Sequence, residues 1–264
     1  MSDVKLIQGD FFAKYRQLKD RFDLILTDPP YGILERAGQK WDKPINWDRA
    51  EGIFYNLLKP NGQVIMFADW NLMLTLMGAF SRKLKFKHFH VWVKPGGMSV
   101  NECNPVHDCE HILIFKRKED QANNLTFKPK ESGRVGKPYS KRNYDQDIST
   151  RKERKRPVDI NETGKRWIKT ALYGPSKPNM TRDERTNHPT QKPLSLLREL
   201  VRVYSNPGDL ILDPFAGSGS TLIAAYQEGR DSIGYEIEQE YFQEAQNRIS
   251  RYSQQTALNL EGVS

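Results

Sequence analysis

The sequence predicts an α/β fold built on a mainly parallel sheet. Short apolar runs that suit buried strands alternate with segments that suit helices, and two of these runs end in turns rich in Pro or Gly. Between residues 116 and 185 this alternation stops and the charge becomes strongly positive. We therefore expect one α/β unit, formed by a chain of 264 residues, that carries an inserted region.

Net charge and cysteine content limit the partners and the compartment. The chain has a formal net charge of +8 at pH 7 and a pI near 9.3, which favours a polyanionic partner. Its two cysteines, Cys103 and Cys109, are too few for a disulfide framework. The amino terminus lacks the apolar run of a signal peptide, and no stretch approaches the roughly 18 apolar residues of a membrane span. We expect a cytoplasmic protein without a membrane partner.

The first 115 residues predict strands that alternate with helices. Residues 33–47 lack periodicity and predict a loop, and the segment Lys-Pro-Asn-Gly at 59–62 predicts a turn. A short apolar segment lies at 4–8, strands are expected at 22–26, 64–68, 86–93 and 110–116, and helices are expected at 11–18, 48–58 and 70–80. The last two strands follow one another without a helix, so the parallel sheet is expected to end in a strand pair.

The hexapeptide Thr-Asp-Pro-Pro-Tyr-Gly at 27–32 follows a buried strand directly. Ligands of open α/β sheets bind at such carboxyl ends. Each Pro keeps the residue before it extended and leaves carbonyls free to accept hydrogen bonds. With the Asp28 carboxylate and the Tyr31 ring, this cluster of acceptors suits a planar substrate with an exocyclic amine. The alternative is a strand that ends in a Pro-Pro turn, with Asp28 as a cap and Tyr31 as packing.

The segment 116–185 predicts a nucleic-acid contact. It holds 20 Lys and Arg against 10 Asp and Glu, a net charge of +10, so the other 194 residues sum to −2. Spaced cations follow a phosphate backbone, and Arg, Asn and Gln read base edges. The alternative is a disordered basic segment. Because the segment is internal and contains aromatic residues, we favour a recognition insert. Its densest cationic run, a candidate DNA contact, consists of Arg151, Lys152, Arg154, Lys155 and Arg156.

The last 79 residues, 186–264, predict a second binding site. A helix is expected to end at about 204, followed by a strand at 210–213, a Gly-rich turn and an apolar helix from 222. Strand, turn and helix in this order bring a cofactor against backbone N–H groups and a positive helix end. A further strand at 232–236 ends in Glu236, which could accept ribose hydroxyls. The final helix is expected at 239–251, with a frayed tail after it.

These motifs resemble those of the S-adenosylmethionine-dependent DNA amino-methyltransferases in the permuted order called the β class, a family that modifies adenine N6 or cytosine N4. Asp28-Pro29-Pro30-Tyr31 matches its catalytic motif, residues 188–193 its His-Pro-Thr-Gln-Lys-Pro segment, and Phe215-Ala216-Gly217-Ser218-Gly219 its cofactor motif. The resemblance implies a seven-stranded, mostly parallel Rossmann-like sheet with helices on both faces. It divides the chain into a catalytic half at 1–115, a target recognition insert at 116–185 and a cofactor-binding half at 186–264.

The resemblance also implies roles for single residues. Glu236 would hold the cofactor ribose and Asp10 its adenine, although Asp10 could instead be a cap at the end of a strand. Thr190, Gln191 and Lys192 would lie near the methionine carboxylate, although Lys192 could be a solvated residue at a helix start. The methionine part of the cofactor would be held by Asp213, Phe215, Ala216, Gly217, Ser218 and Gly219.

The implied reaction is methyl transfer from S-adenosylmethionine to adenine N6 in double-stranded DNA. The amino nitrogen is a poor nucleophile because its lone pair is delocalised, and hydrogen bonds to Asp28 and to the Pro29 carbonyl would free that lone pair. The base would be flipped out and stacked on Tyr31. The alternatives are N4-cytosine methylation, methylation of RNA or protein, and a DNA-binding module without catalysis. A homodimer and a cognate restriction enzyme are candidate partners.

Cys103, His107, Cys109 and His111 raise the question of a metal site. Structural zinc sites usually show a Cys pair and a His pair, each at close spacing, and this interleaved order fits that pattern poorly. Alternating residues of a strand are the better interpretation, and we expect no metal.

Overall fold

The computed structural model of the chain describes residues 2–32, 44–98, 102–103, 105–146 and 153–261. Its helices are α1 (Phe11–Lys14), α2 (Trp47–Leu57), α3 (Trp70–Ala79), α4 (Leu194–Tyr204), α5 (Ser220–Gln227) and α6 (Gln239–Glu261). Its strands are β1 (Val4–Gln8), β2 (Phe22–Thr27), β3 (Leu58–Ala68), β4 (Leu84–Met98), β5 (His107–Arg117), β6 (Tyr139–Gln146), β7 (Glu153–Asn161), β8 (Ala171–Tyr173), β9 (Leu210–Asp213) and β10 (Asp231–Glu236).

One large sheet organises these elements, in the order β1-β10-β9-β2-β3-β5-β4-β8. The strands from β1 to β3 pair in parallel, and β5 runs antiparallel between β3 and β4. The connections move towards β3 after β2 but towards β1 after β9, so the direction of winding reverses between these two neighbours. Such a reversal opens a crevice at the carboxyl ends of the strands, where ligands bind.

Alternation along the strands gives the sheet two apolar faces. Ile25, Val64 and Met66 point to the face that is covered by α2 and α3. Leu24, Leu26 and Ile65 point to the opposite face, which α4 and α5 cover. Because strands buried on both faces are continuous apolar runs, the sequence at 22–26 and 64–68 is typical of this layered α/β architecture. The expected fold class, with helices on both faces of a mostly parallel sheet, is confirmed.

The sheet has eight strands where we expected seven. The additional strand is β8, which comes from the basic segment and pairs in parallel with β4. Its central residue, Leu172, is buried in the core. An uncovered outer edge of β4 would expose unpaired N–H and C=O groups, and β8 covers part of that edge. A three-residue strand is too short to predict from periodicity.

Several element boundaries differ from the prediction, and β4 and β5 are both longer than expected at each end. Residues 59–62 lie within β3 as an irregularity, where Asn61 has φ +64° and its N–H donates to Asp120. Helix α1 tightens into a 3-10 turn at Tyr15–Gln17, after which Leu18 packs against the core. Helix α6 continues to Glu261, ten residues beyond the predicted end, and Tyr252, the first of these residues, packs against the core.

The basic segment is attached to the sheet at several points. Strands β6 and β7 pair with each other as an antiparallel ribbon outside the large sheet. Gln63 donates to the Thr126 carbonyl at 2.8 Å, and the Phe127 ring lies 5.6 Å from the Tyr204 ring. The division of the chain at 116 and 185 stays a prediction. Across the described ranges, no helix has the length and apolar character needed to cross a membrane.

Candidate active site

A cavity of about 690 Å³ opens at the carboxyl edge of the sheet, beside the point where the winding reverses. Both sequence motifs line it, although they are nearly 190 residues apart in the chain. The predicted residues that it brings together are Asp10, Asp28, Pro29, Pro30, Tyr31, Thr190, Gln191, Lys192, Asp213, Phe215, Ala216, Gly217, Ser218 and Glu236. Gly219 is the predicted cofactor residue that faces elsewhere: a Cβ on it would lie 3.2 Å from Ala245 of α6.

Asp28 follows the last residue of β2 and is held from two sides. The Tyr31 hydroxyl donates to its Oδ1 at 2.9 Å, and the Lys192 ammonium donates to its Oδ2. Its carboxylate therefore forms no helix cap, and the Tyr31 hydroxyl orients it within the same loop. Pro29 is buried and keeps the chain extended at this point.

Lys192 lies between two carboxylates. Its side chain is 6% exposed, and its Nζ lies 3.3 Å from Glu110 Oε2 as well as against Asp28. Glu110 also receives the ammonium of Lys94 on its other oxygen. Burial alone would lower the pKa of Lys192, but the charges of Asp28 and Glu110 raise it. The ammonium thus stays charged, which excludes the solvated helix start as its environment.

The two carboxyl groups around Lys192 differ in pKa. Burial raises the pKa of Asp28, and the charge of Glu110 adds to that rise against the opposing effect of Lys192. Burial would also raise the pKa of Glu110, but Lys192 and Lys94 together lower it. Glu110 has two cationic neighbours and Asp28 shares one, so Asp28 is the more basic carboxylate of the pair.

Asp213 connects the two motifs across neighbouring strands. The Thr27 hydroxyl donates to its Oδ1 at 2.6 Å, and the Phe215 N–H donates to the same oxygen at 3.1 Å. Burial raises the pKa of Asp213 to about 6. Because Thr27 directly precedes Asp28, the Asp213 carboxylate fixes the end of β2 against the start of the Gly-rich turn.

Glu236 holds the Gly-rich turn from the end of β10. Its carboxylate accepts the Gly217 N–H at 2.8 Å on one oxygen and the Glu238 N–H at 2.8 Å on the other. Each carboxylate oxygen can accept about two hydrogen bonds, so capacity for a ribose hydroxyl remains. Burial raises the pKa of Glu236 to about 7.

Packing of the His188 ring requires glycine at 217. Gly217 has φ +50°, and a Cβ there would lie 2.9 Å from Nε2 of the His188 ring. The centroid of that ring lies 4.5 Å from the centroid of the Tyr241 ring, so it cannot easily move aside. His188, the first residue of the His-Pro-Thr-Gln-Lys-Pro segment, therefore shapes the Gly-rich turn.

The remaining cofactor candidates have structural partners of their own. Asp10 caps α1 by accepting the Phe12 N–H at 2.8 Å, and it also lines the cavity. The buried Gln191 side chain accepts the Thr186 N–H and donates to the Glu184 carbonyl, each at 2.8 Å, which orders the turn before it. Their contacts with a cofactor stay predictions.

The cationic run is only partly within the described residues. Arg151 and Lys152 lie outside them. Arg154, Lys155 and Arg156 belong to β7, where Arg154 pairs with Asp145 and Lys155 with Tyr144 of β6. Their role in DNA binding therefore stays a prediction.

Residues of β4 and β5 take part in the site and were missed by the sequence analysis. Glu110 reaches Asp28 through Lys192 because β5 runs antiparallel to β3, so its first residues lie at the same edge as the carboxyl ends of β2 and β3. Lys94 pairs with Glu110 from the neighbouring strand β4, whose carboxyl end lies at that edge as well. A lone Glu in a strand carries no signal for this. Over the ranges described, no three His, Cys, Asp or Glu side chains come close enough to hold a metal ion, and Cys103 and Cys109 are exposed thiols.

Comparison with known proteins agrees with this arrangement. A family model described as DNA methylase, for N6 and N4 methyltransferases, matches residues 22–247. DNA adenine methyltransferase YhdJ of Escherichia coli K12 is 28% identical over 267 residues, which cover 98% of this chain and 86% of YhdJ. YubD of the same strain is 29% identical over 265 residues, 97% of this chain and 95% of its own.

Solved structures give the same result. The structure of M1.HpyAVI in complex with SAM has a TM-score of 0.60 at 25% identity and covers 93% of this chain and 99% of that one. The PvuII cytosine-N4-specific DNA methyltransferase has a TM-score of 0.60 at 14% identity, over 96% of this chain and 91% of that one, a likeness of fold alone. With the family model spanning most of the sequence, and both of the expected motifs lining one cavity, this chain belongs to the N6/N4 family of DNA methylases.

Proposed function

We propose that the enzyme transfers a methyl group from S-adenosylmethionine to N6 of an adenine that is flipped out of duplex DNA. DNA methylation is the activity of its family. The observation that carries the proposal is the Asp28 carboxylate, which lines the same cavity as the Gly-rich turn and is the more basic of two carboxylates there.

The cavity residues fit S-adenosylmethionine. Glu236 offers acceptor capacity for the ribose, and Gly217 and Ser218 of the Gly-rich turn line the cavity beside it. The Phe12 and Phe215 rings, 6.0 Å apart, give the cavity an apolar wall. The cofactor supplies a methyl group on a positively charged sulfur, which is the electrophile of the reaction.

The protein positions the amino group and stabilises its developing charge. Asp28 and the Pro29 carbonyl accept hydrogen bonds from the NH2 group, which draws the nitrogen out of conjugation with the ring and frees its lone pair. As the nitrogen forms its bond to carbon it becomes positive, and the Asp28 carboxylate stabilises that charge. One proton then leaves the nitrogen, and Asp28 is the nearest basic group to receive it.

Two observations favour adenine over cytosine. The family more often has Ser at the position of Asp28 in its N4-cytosine members, so the carboxylate favours N6. YhdJ, similar over nearly the whole chain, is named a DNA adenine methyltransferase. Double-stranded DNA as substrate agrees with the positive charge of the segment 116–185. A homodimer and a cognate restriction enzyme stay predictions.

Nucleoside analysis of the product tests the proposal. Duplex DNA that lacks methylation is incubated with the enzyme and labelled S-adenosylmethionine, digested to nucleosides and analysed by mass spectrometry. We expect the label in N6-methyl-2′-deoxyadenosine. Labelled N4-methylcytosine would contradict the choice of base while keeping the reaction class, and label in RNA or protein but not in DNA would contradict the substrate.

A further inference from the structure

The Lys192 ammonium is shared between Asp28 and Glu110. It donates to Asp28 Oδ2 and lies 3.3 Å from Glu110 Oε2, in a site where its own side chain is 6% exposed. The carboxylates are 19% and 17% exposed, so solvent screens the three charges only weakly. Lys94 pairs with the other oxygen of Glu110, so the two lysines and the two carboxylates have a net charge of zero.

This arrangement matters because Asp28 must accept a hydrogen bond from the substrate. When a carboxylate is the sole partner of a buried ammonium, the ammonium neutralises its charge, and its remaining lone pairs become weak acceptors. A second carboxylate that attracts the same ammonium weakens that pair. Glu110 is the described carboxylate that does so, since its Oε2 lies 3.3 Å from Lys192 Nζ and 3.5 Å from the Tyr31 hydroxyl.

We propose that Glu110 is a positioning residue that draws the Lys192 ammonium partly away from Asp28 and thereby keeps the Asp28 carboxylate able to accept the target amino group. The proposal rests on the proposed function, since it concerns the acceptor of that reaction. Glu110 acts through Lys192, and the residue that contacts the substrate is Asp28.

The other charged groups near these residues do not replace Glu110. Asp213 faces Asp28 from β9, but it receives the Thr27 hydroxyl and has no ion pair with Lys192 among the described contacts. Asp69 acts on Tyr31 from the end of β3, and His188 carries no charge at neutral pH because burial lowers its pKa to about 3. Tyr31 stays neutral because burial raises its pKa, and its hydroxyl donates to Asp28 Oδ1 at 2.9 Å. Burial is the largest influence on the pKa of Asp28, and among the charged groups Lys192 and Glu110 act most strongly on it.

Two substitutions should move the pH dependence of catalysis in opposite directions. In Glu110→Gln, Asp28 is the remaining carboxylate beside Lys192, so the Asp28 pKa falls. The acid limb of the pH–rate profile, where the methylation rate declines as Asp28 is protonated, therefore moves to lower pH. Lys192→Met leaves two carboxylates without their shared cation, so the Asp28 pKa rises and the limb moves to higher pH. We expect a displacement of about one pH unit or more in each case. The plateau rate of Glu110→Gln should fall by about threefold to tenfold, because a less basic acceptor is less effective.

Single-turnover methylation of duplex DNA between pH 5 and 9, at saturating S-adenosylmethionine, measures these limbs without interference from product release. Glu119→Gln is the matched control, since Glu119 lies beyond the far end of β5 and pairs with Arg117 at the surface. It should leave both limb and plateau unchanged. Limbs that coincide with that of the wild type, or that move in the same direction in both variants, would overturn the proposal.

A second readout does not depend on activity. Carbon-13 NMR of labelled aspartate carboxyls, with Asp28→Asn for assignment, reports the Asp28 titration directly. We expect its midpoint to fall in Glu110→Gln and to rise in Lys192→Met. If the wild type fails to methylate DNA, the proposed function is wrong, and the titration still decides whether Glu110 controls Asp28. If methylation proceeds and both titrations are unchanged, only the role of Glu110 is wrong.

Discussion

The carboxyl groups of three acidic residues in the cavity have different surroundings. These residues are Asp28, Asp213 and Glu236. Asp28 faces a shared ammonium, Asp213 faces a hydroxyl and an N–H group, and Glu236 faces two N–H groups. Burial raises the pKa of all three, since each lies in a region that water reaches poorly. Asp28, which faces a buried ammonium, suits proton and charge chemistry, and Asp213 and Glu236, which face backbone or hydroxyl donors, suit binding.

Asp28→Ala should slow methyl transfer at least about a hundredfold, the scale for loss of one electrostatic stabiliser in an active site. The affinity for S-adenosylmethionine should change little, because the proposed role of Asp28 is at the target nitrogen. Single-turnover rates and calorimetry check the two statements separately. A turnover near that of the wild type would show that the amino group is held elsewhere.

The affinity for S-adenosylmethionine should depend on the ionisation of Glu236. With a pKa of about 7, its carboxylate is mostly ionised at pH 8 and mostly protonated at pH 6. A protonated acid is a poorer acceptor for ribose hydroxyls, so affinity should fall by up to about tenfold between pH 8 and pH 6. Calorimetric titration at both values measures this change.

Glu236→Gln should bind the cofactor more weakly at pH 8 and should lose most of the pH dependence. Glu240→Gln, an exposed neighbour at the start of α6, serves as control and should keep the behaviour of the wild type. Equal pH dependence in the wild type and Glu236→Gln would assign the titration to another group.

At the scale of elements, one hydroxyl joins β4 to α4 beneath the basic segment. The Tyr204 hydroxyl lies 2.6 Å from His90 Nε2 and 2.7 Å from His88 Nε2. His90 Nδ1 lies 2.8 Å from the Lys169 carbonyl, which can only accept, so Nδ1 carries the hydrogen. Tyr204 then donates to His90 and accepts from His88, and both imidazoles are neutral.

Burial lowers the pKa of His88 to about 4 and also lowers that of His90. Unfolded histidines take up protons at about pH 6.5, so as the pH falls from 6.5 towards 4, His88 and His90 bind more protons in the unfolded chain than in the folded one. Their contribution to stability should therefore fall as the pH is lowered through this range, whereas the raised pKa values of Asp213 and Glu236 act in the opposite direction. Urea unfolding of the wild type and of His88→Gln at pH 7.5, 6 and 5 separates the two effects, and a stability difference that does not change in favour of His88→Gln towards acid would contradict the assignment.

Tyr204→Phe should destabilise the protein by about 1–3 kcal/mol at pH 7.5, because it leaves two imidazole nitrogens without their shared partner in a buried site. Tyr55→Phe is the matched control, since its hydroxyl bonds Glu119 at the surface. That control should cost less than about 0.5 kcal/mol. Urea unfolding of the two variants measures their free energies of unfolding. Equal losses would show that the Tyr204 hydroxyl contributes no more to stability than a surface hydroxyl.

For the whole molecule, the main feature is the segregation of charge. The segment 116–185 carries a net +10 on a protein whose other residues sum to −2. It is attached to the sheet through β8, whose last residue, Tyr173, lies at the edge where the cavity opens. The phosphate backbone of a duplex would then be attracted to the side of the molecule from which a flipped base enters.

Replacing Arg151, Lys152, Arg154, Lys155 and Arg156 together by Ala should weaken binding to all DNA sequences about equally. Each phosphate contact contributes roughly 0.9 to the slope of log affinity against log salt, so the loss of five cations should flatten the slope by up to about 4.5. Affinity is measured against salt on a cognate and a scrambled duplex. An effect on the cognate duplex alone would instead indicate contacts with base edges.

The matched control removes five cations from the opposite edge of the sheet. These residues lie at or near the amino ends of β1, β2 and β4, all are exposed, and none lines the cavity: Lys5, Lys19, Arg21, Lys83 and Lys85. Their loss lowers the net charge equally but should change the salt slope little. If both variants flatten the slope to the same degree, net charge and not the location of the run is responsible.

The sequence by itself located most strands of the large sheet, the two motifs and their order along the chain. This was enough because buried strands are apolar over their whole length and because Pro and Gly restrict or release backbone angles locally. The hexapeptide at 27–32 and the turn at 215–219 were therefore located without a structure. Family likeness then supplied the order of halves, and the fold class followed from alternation.

Only the tertiary structure decided which charged groups meet. Lys192 and Asp28 are 164 residues apart, Glu110 reaches them because β5 runs antiparallel, and Lys94 pairs with Glu110 from the neighbouring strand β4. The contact of His188 with Gly217 and the addition of β8 to the sheet likewise depend on packing between distant segments. A buried ammonium takes the partners that the fold places around it, and local sequence pattern carries no information about residues brought together from opposite ends of the chain.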